Sequence, residues 1–398
     1  MISREPKTDR KASIVWLVCG FGLLATALCP LPKSWSAARA ALDSARSTGL
    51  NRADRESNAA GYYEGLIGVV GNDSPRGELT QLLMGKPAEW GRFQAANVSR
   101  QLPGDPLLFE LLPNVDRHLF GQRFTTNEHG MRDRSYTIAK PAGVYRIVVL
   151  GSSMDMGWGI DTESTYVNLL EDWLNAHAAE RGLRRRFEVL NFAVAAYSPL
   201  QRLESFRRKA AAFQPDFVIY SATMLDPRLL EIQLCDMLSG RIEPRDEFVR
   251  RAFAEAGIEP KALPRDESGK LVNKEAIKTA LRAKYWSILD DVLKTLAAEC
   301  RARQCGLTMI VIPRVGKADA PDERAEPTAR LHGVAARHAI PVCDLTDTFD
   351  GIDPARLEIA AWDDHPNAEG HRLLFQAITH RLIENQEAYL QLFSDASQ

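Results

Sequence analysis

The hydrophobic pattern divides the chain into three stretches. From Ala12 to Pro32 no side chain is charged, and IVWLVCGFGLLATAL (14–28) is almost wholly apolar, with Arg4, Lys7, Arg10 and Lys11 ahead of it. A bilayer span needs about 20 mostly apolar residues and a secretory h-region only about 7–15. The segment therefore predicts a transmembrane signal anchor over residues 1–33, in contact with lipid through residues 12–32. The best small-x-small cleavage candidate, Ala38-Arg39-Ala40, lies far downstream and contains an arginine, so the anchor is expected to remain uncleaved. The basic residues before the span point the N-terminus to the cytoplasm. Residues 34–140 show weaker patterning: a helical stretch ending near Val70, then Pro/Gly-rich pieces, read as a membrane-proximal helical and lead-in region.

From residue 141 to about 390 short apolar runs alternate with helical spacing. YRIVVL (145–150), FEVLNF (187–192), FVIYSA (217–222), LTMIVIP (307–313) and IPVCDL (340–345) read as buried strands. Thr165–Ala179, Pro199–Phe213 and Asn367–Leu390 read as helices, with Pro199 in a first turn where its missing N–H costs nothing. Continuous apolar strands between amphipathic helices predict an α/β domain with a parallel sheet covered on both faces. The long helical stretch at about 226–305, broken at Pro264–Gly269, exceeds a crossover and is expected to be an insertion roofing the carboxyl edge of the sheet, where such folds bind ligands.

Composition narrows the class. With 45% hydrophobic and 26% charged residues, the 398-residue chain has a packed core, which excludes disorder and a multi-span membrane protein. Lys+Arg 50 against Asp+Glu 52, a net charge of −2, excludes a general nucleic-acid binder. Cys235, Cys300, Cys305 and Cys343 lack zinc-site spacing, and a helix carrying both Cys300 and Cys305 would set them on different faces, so buried or free thiols are expected. No metal or cofactor is implied.

Two segments carry chemistry. In Leu150-Gly151-Ser152-Ser153-Met154-Asp155-Met156-Gly157-Trp158-Gly159 a strand ends, a glycine turns, and serines follow where a helix begins. That geometry exposes a hydroxyl and aims backbone N–H groups at it, although Gly-Ser-Ser by itself is also an ordinary turn. In Asp363-Asp364-His365-Pro366-Asn367 a histidine precedes a helix-starting proline, so its ring is expected in a rigid loop, and either aspartate can orient it; the same residues also suit a helix cap. Arg314, after the fourth strand, is placed to meet an anionic substrate.

Taken as an ordered set, these segments resemble the SGNH (GDSL-like) hydrolase family over roughly residues 120–390. VVLGSSMDMGWG is similar to its first block, with Ser153 at the nucleophile position; VLNFAVAAYSPLQ (189–201) to the second; PDFVIYSATMLD (215–226) to the third; and DDHPNAEGHRLL (363–374) to the last, with His365 as base. TTNEHGMRD (125–133) resembles the lead-in of membrane-anchored members of the same clan. The resemblance implies a flavodoxin-like five-stranded parallel sheet and an oxyanion site formed by the Ser153 and Ala196 N–H groups. Ser152 stands where the family has Asp, Ala196 where it has Gly, and Leu225, beside Asp226, where an Asn donates. Trp362 takes the place of the usual Asp, so Asp363 is expected to orient His365, with Asp364 as second choice.

The expected function is a serine esterase or O-acyltransferase acting on acyl, above all acetyl, esters of envelope or exported saccharide. Its domain would lie in the periplasm, held by a single inner-membrane span. The competing expectation, supported by Ser152 and Leu225, is a non-catalytic binding or assembly subunit of a polysaccharide acylation or export complex.

Overall fold

The computed structural model describes residues 97–119, 121–316, 321–360, 363–385 and 392–393. The anchor expected at 12–32 and the helical stretch expected from residue 34 lie outside these residues. Among the described residues no helix is long and apolar enough to cross a membrane.

From residue 97 the lead-in consists of two antiparallel hairpins: β1 (Ser99–Gln101) with β2 (Phe109–Leu111), and β3 (Asp116–Leu119) with β4 (Gln122–Thr125). His118 sits in β3. The α/β core follows: β5 (Val144–Leu150), α1 (Ser153–Met156), α2 (Tyr166–Glu180), β6 (Arg186–Asn191), α3 (Pro199–Arg208) and β7 (Phe217–Thr223). Next come α4 (Asp226–Ser239), α5 (Glu247–Glu255), α6 (Lys274–Arg282) and α7 (Tyr285–Ala302). The chain then forms β8 (Gly306–Ile312), α8 (Pro321–Arg337), β9 (Val342–Asp344), β10 (Glu358–Ala360), β11 (Asp363–Pro366) and α9 (Ala368–Glu384).

Five strands pair in the order β6–β5–β7–β8–β9, every pair parallel, which is the flavodoxin-like order. Strand alternation sorts the core into two layers. Ile147, Val149, Val189, Ile219, Ile310 and Ile312 face α2 and α9. Val148, Leu150, Leu190, Val218, Tyr220, Met309 and Val311 face α3, α4 and α7. The helix starts follow from local chemistry. The Thr165 side chain accepts from the Asn168 N–H, and Ser198 accepts from Leu200 and Gln201 with Pro199 behind it. The helix expected to run to Phe213 stops at Arg208, and a 3₁₀ turn continues to Phe213.

The segment between β7 and β8 differs from the expected insertion. Its last helix, α7, packs on β8, α3 and α8 and so serves as the sheet crossover, whereas α4 packs on α6 and α3. Cys305 lies past the end of α7, its N–H bonded to the Cys300 carbonyl at 2.9 Å. That reversal puts two free, buried thiols within hydrogen-bonding reach of each other instead of on different helix faces.

Candidate active site

The loops leaving the carboxyl edge of the sheet bring together residues from opposite ends of the domain. Ser153 opens the one-turn helix α1 directly after β5. Its approach needs Gly151, because a Cβ there would fall 2.1 Å from the Asp155 carboxylate. His365, expected in a rigid loop, instead lies in the short strand β11, paired antiparallel with β10. Ser153 Oγ and His365 Nε2, 212 residues apart in sequence, are 2.7 Å apart. His365 Nδ1 lies 2.5 Å from Asp363 Oδ1, which also accepts the His365 backbone N–H at 3.1 Å. Ser153 and Asp363 are each 2% exposed and His365 is fully enclosed, so these contacts lie in a low-dielectric setting where each polar contact counts for more. The arrangement can remove the serine proton at Nε2 while the carboxylate fixes the ring and balances the imidazolium.

Donors for a developing oxyanion stand at the same edge. Neither the Ser153 nor the Ala196 backbone N–H has an acceptor among the described residues. Ala196 adopts φ 66°, in the left-handed region that glycine enters freely and alanine enters at a cost of about 1 kcal/mol. Ala196 thus keeps a left-handed backbone that glycine would adopt freely, at that cost. Leu225, a buried residue ahead of α4, brings no side-chain donor. The carboxylate missing at Ser152 reappears at Asp155, which accepts the Ser152 N–H at 2.8 Å and the Tyr166 hydroxyl at 2.6 Å. Burial raises the Asp155 pKa above the ordinary carboxylate value.

The other candidates do different work. Asp226 forms a fully buried bidentate pair with Arg202, at 2.8 and 2.6 Å, so its carboxylate is a structural partner and not a donor or acceptor for substrate. Asp364 pairs with Arg314, and the Asp364 carbonyl accepts the Val315 N–H at 3.4 Å. This pair ties the loop after β8 to the histidine strand. Asp363, Asp364 and His365 present ligand atoms within 4.8 Å of one another, as a cation site would, but they are engaged by Trp158, Arg314 and Ser153 respectively. Trp362 lies outside the described residues.

His371 is fully buried: its Nδ1 accepts the Tyr166 N–H at 3.2 Å and its ring stacks on Tyr166. Burial, with the Arg132 charge nearby and His365 adding to it, pushes its pKa down to about 3. A histidine held neutral in the fold stabilises it fully above the unfolded value near 6.5, and loses that contribution as pH falls toward about 3. Urea unfolding from pH 7 to 4 should therefore show stability falling by up to about 1.4 kcal/mol per pH unit from this group. The slope should flatten in His371→Gln; an unchanged slope would contradict the assignment.

Several contributors escaped the sequence reading. Trp158 donates its indole N–H to Asp363 Oδ2 at 2.9 Å and stacks on His365. Asn191 spans the Asp155 carbonyl and the Ala193 N–H, at 2.9 and 3.1 Å, joining the nucleophile turn to the Ala196 loop. Asp133 accepts the Asn191 N–H at 2.7 Å, and burial pushes its pKa up to about 8. Only Trp158 left a trace in the pattern, as an aromatic between two glycines just after the candidate nucleophile.

No curated protein matches the chain by sequence. Among solved structures it is similar to LAE5, an alpha/beta hydrolase enzyme from the metagenome of Lake Arreo, Spain, at 18% identity over 59% of this chain and 94% of that one, TM-score 0.38. The psychrotrophic esterase EstA from Pseudoalteromonas sp. aligns at 12% identity over 61% and 98%, TM-score 0.35. An R55A mutant of Axe2, an acetyl-xylooligosaccharide esterase from Geobacillus Stearmophilus, aligns at 16% identity over 59% and 93%, TM-score 0.37. The family model of GDSL-like lipases and acylhydrolases matches residues 149–373, more than half of the chain. The chain belongs to the GDSL-like lipase/acylhydrolase family, also called SGNH.

Proposed function

We propose that this protein is a serine esterase or O-acyltransferase acting on acyl esters, with acetylated envelope or exported saccharide as its substrate. In this reading residues 12–32 anchor it in the inner membrane and the hydrolase domain faces the periplasm. One observation carries the chemistry: the continuous Asp363–His365–Ser153 contact at the carboxyl edge of the sheet.

The steps follow from those positions. Ser153 Oγ bonds to the ester carbonyl carbon as its proton passes to His365 Nε2, and Asp363 holds the imidazolium. The carbonyl electron pair moves onto oxygen, where the Ser153 and Ala196 N–H groups stabilise it. When the C–O bond to the leaving alkoxide breaks, the imidazolium proton goes to that oxygen. Water, or a sugar hydroxyl, then bonds to the acyl carbon as His365 Nε2 takes its proton, and the acyl–Oγ bond breaks with that proton returned to Ser153 Oγ. With Leu225 in place of a side-chain donor, the oxyanion relies on backbone groups. Losing one such donor costs about 10²–10³ in rate, which favours a slow enzyme.

The test is acetate release from O-acetylated polysaccharide by the full chain in detergent, with and without unacetylated saccharide as acceptor. Release that depends on Ser153 supports the reading, and acetyl transfer to the added saccharide assigns the acceptor. Saccharide binding without any release, and with Ser153 unmodified, would favour a binding subunit instead.

A further inference from the structure

We propose that Trp158 is a positioning residue that acts through Asp363, holding the carboxylate and the imidazole in working register; this rests on the serine-hydrolase reading of the same site. Asp363 and His365 are two residues apart in a strand, so both side chains leave the same face of β11. Side by side rather than end to end, they meet only if the carboxylate is held toward Nδ1. Asp363 Oδ1 takes both the ring Nδ1 and the backbone N–H of His365, and Oδ2 takes the Trp158 indole N–H at 2.9 Å. Donors on both oxygens fix the plane of the carboxylate. The same indole lies along the imidazole, with ring centroids 5.6 Å apart and planes 30° apart, which limits ring tilt.

The loop around Trp158 is built to deliver that ring. The Trp158 N–H bonds to the Ser153 carbonyl at 3.1 Å, tying the indole to the nucleophile's own turn. Gly157 has φ 83°, and a Cβ there would lie 2.4 Å from the Thr165 methyl, so this turn admits only glycine. Arg132, 1% exposed, donates its guanidinium to the carbonyls of Met156, Gly157 and Ile160. Burying a guanidinium costs desolvation, which its bonds to these three carbonyls offset only with the loop held in this shape. Here the position it fixes is that of the indole.

The test is a double-mutant cycle in the full chain with a chromogenic acetyl ester. Trp158→Phe keeps a ring and loses the donor. It should lower kcat roughly tenfold to a hundredfold, the value of one hydrogen bond to a charged acceptor, and leave KM within about twofold. Asp363→Asn should cost more, and the double variant should be no slower than Asp363→Asn alone, because Trp158 acts through that carboxylate. Wild-type kcat in Trp158→Phe, or additive losses in the double variant, would overturn the proposal. The rate constant for fluorophosphonate labelling of Ser153 provides a second readout that counts only folded molecules, so partial unfolding of a variant does not mask the answer. If the wild type itself neither turns over ester nor labels at Ser153, the serine-hydrolase reading fails; a reactive wild type with an indifferent Trp158→Phe sinks only the positioning role.

Discussion

Replacing Ser153 with alanine is expected to lower kcat on an activated acetyl ester by roughly 10⁴-fold or more, leaving only the contribution of the oxyanion donors and of binding. The size of the loss follows from the burial of the site. Ser153 Oγ is the group in contact with His365 Nε2, and both are buried, so water is poorly placed to act as a substitute nucleophile. His365→Ala should match it. The double variant should be no worse than either single one, because nucleophile and base act as one unit. KM should change little, since neither group is needed to hold the ground-state ester. Steady-state kinetics on the three variants check this, and a Ser153→Ala protein with wild-type kcat would remove the serine from the mechanism.

Arg202→Met is expected to destabilise the domain by roughly 3–5 kcal/mol, a large fraction of the 5–15 kcal/mol typical of a folded protein. Arg202 and Asp226 have fully buried side chains and share two hydrogen bonds, and Arg202 also donates to the Ser221 carbonyl at 2.7 Å. Without the guanidinium, the Asp226 carboxylate keeps only the Thr223 N–H and hydroxyl, at 3.3 and 3.2 Å. The cost is that of an uncompensated buried charge rather than of a lost contact. Arg202→Met combined with Asp226→Leu should therefore recover much of the loss. Urea denaturation of the two variants measures this, and a single substitution costing under about 1 kcal/mol would contradict it. The folded fraction of Arg202→Met should still label at Ser153, which separates Asp226 from the chemistry.

Much of the core was legible because parallel strands buried on both faces leave an unmistakable signal. YRIVVL and FVIYSA are mostly β-branched and aromatic, each with a single strongly polar residue, Arg146 and Ser221, and both lie inside the sheet. Ser153, His365 and Asp363 were legible as a set because a serine after a strand-ending glycine and a histidine ahead of a helix start are placed by topology at one edge. What local pattern could not convey was pairing. Asp226 looks like a site residue beside Leu225, and only the fold puts Arg202, 24 positions earlier, against it. His365 looked like a loop residue because β11 is a four-residue strand that exists by pairing with β10. Cys300 and Cys305 seemed destined for different helix faces until the helix ended at Ala302 and the chain reversed. Trp158 showed only as an aromatic between two glycines, with nothing local to mark Asp363, 205 residues away, as its partner.

Rapid mixing of the full chain, in detergent, with p-nitrophenyl acetate should release p-nitrophenol in a burst matching the protein concentration, ahead of slower turnover. Protein quenched in acid during that burst should carry an acetyl group on Ser153, and Ser153→Ala should show neither burst nor label. Linear release at the same rate from wild type and Ser153→Ala, with Ser153 unmodified throughout, would contradict a covalent serine mechanism at this site.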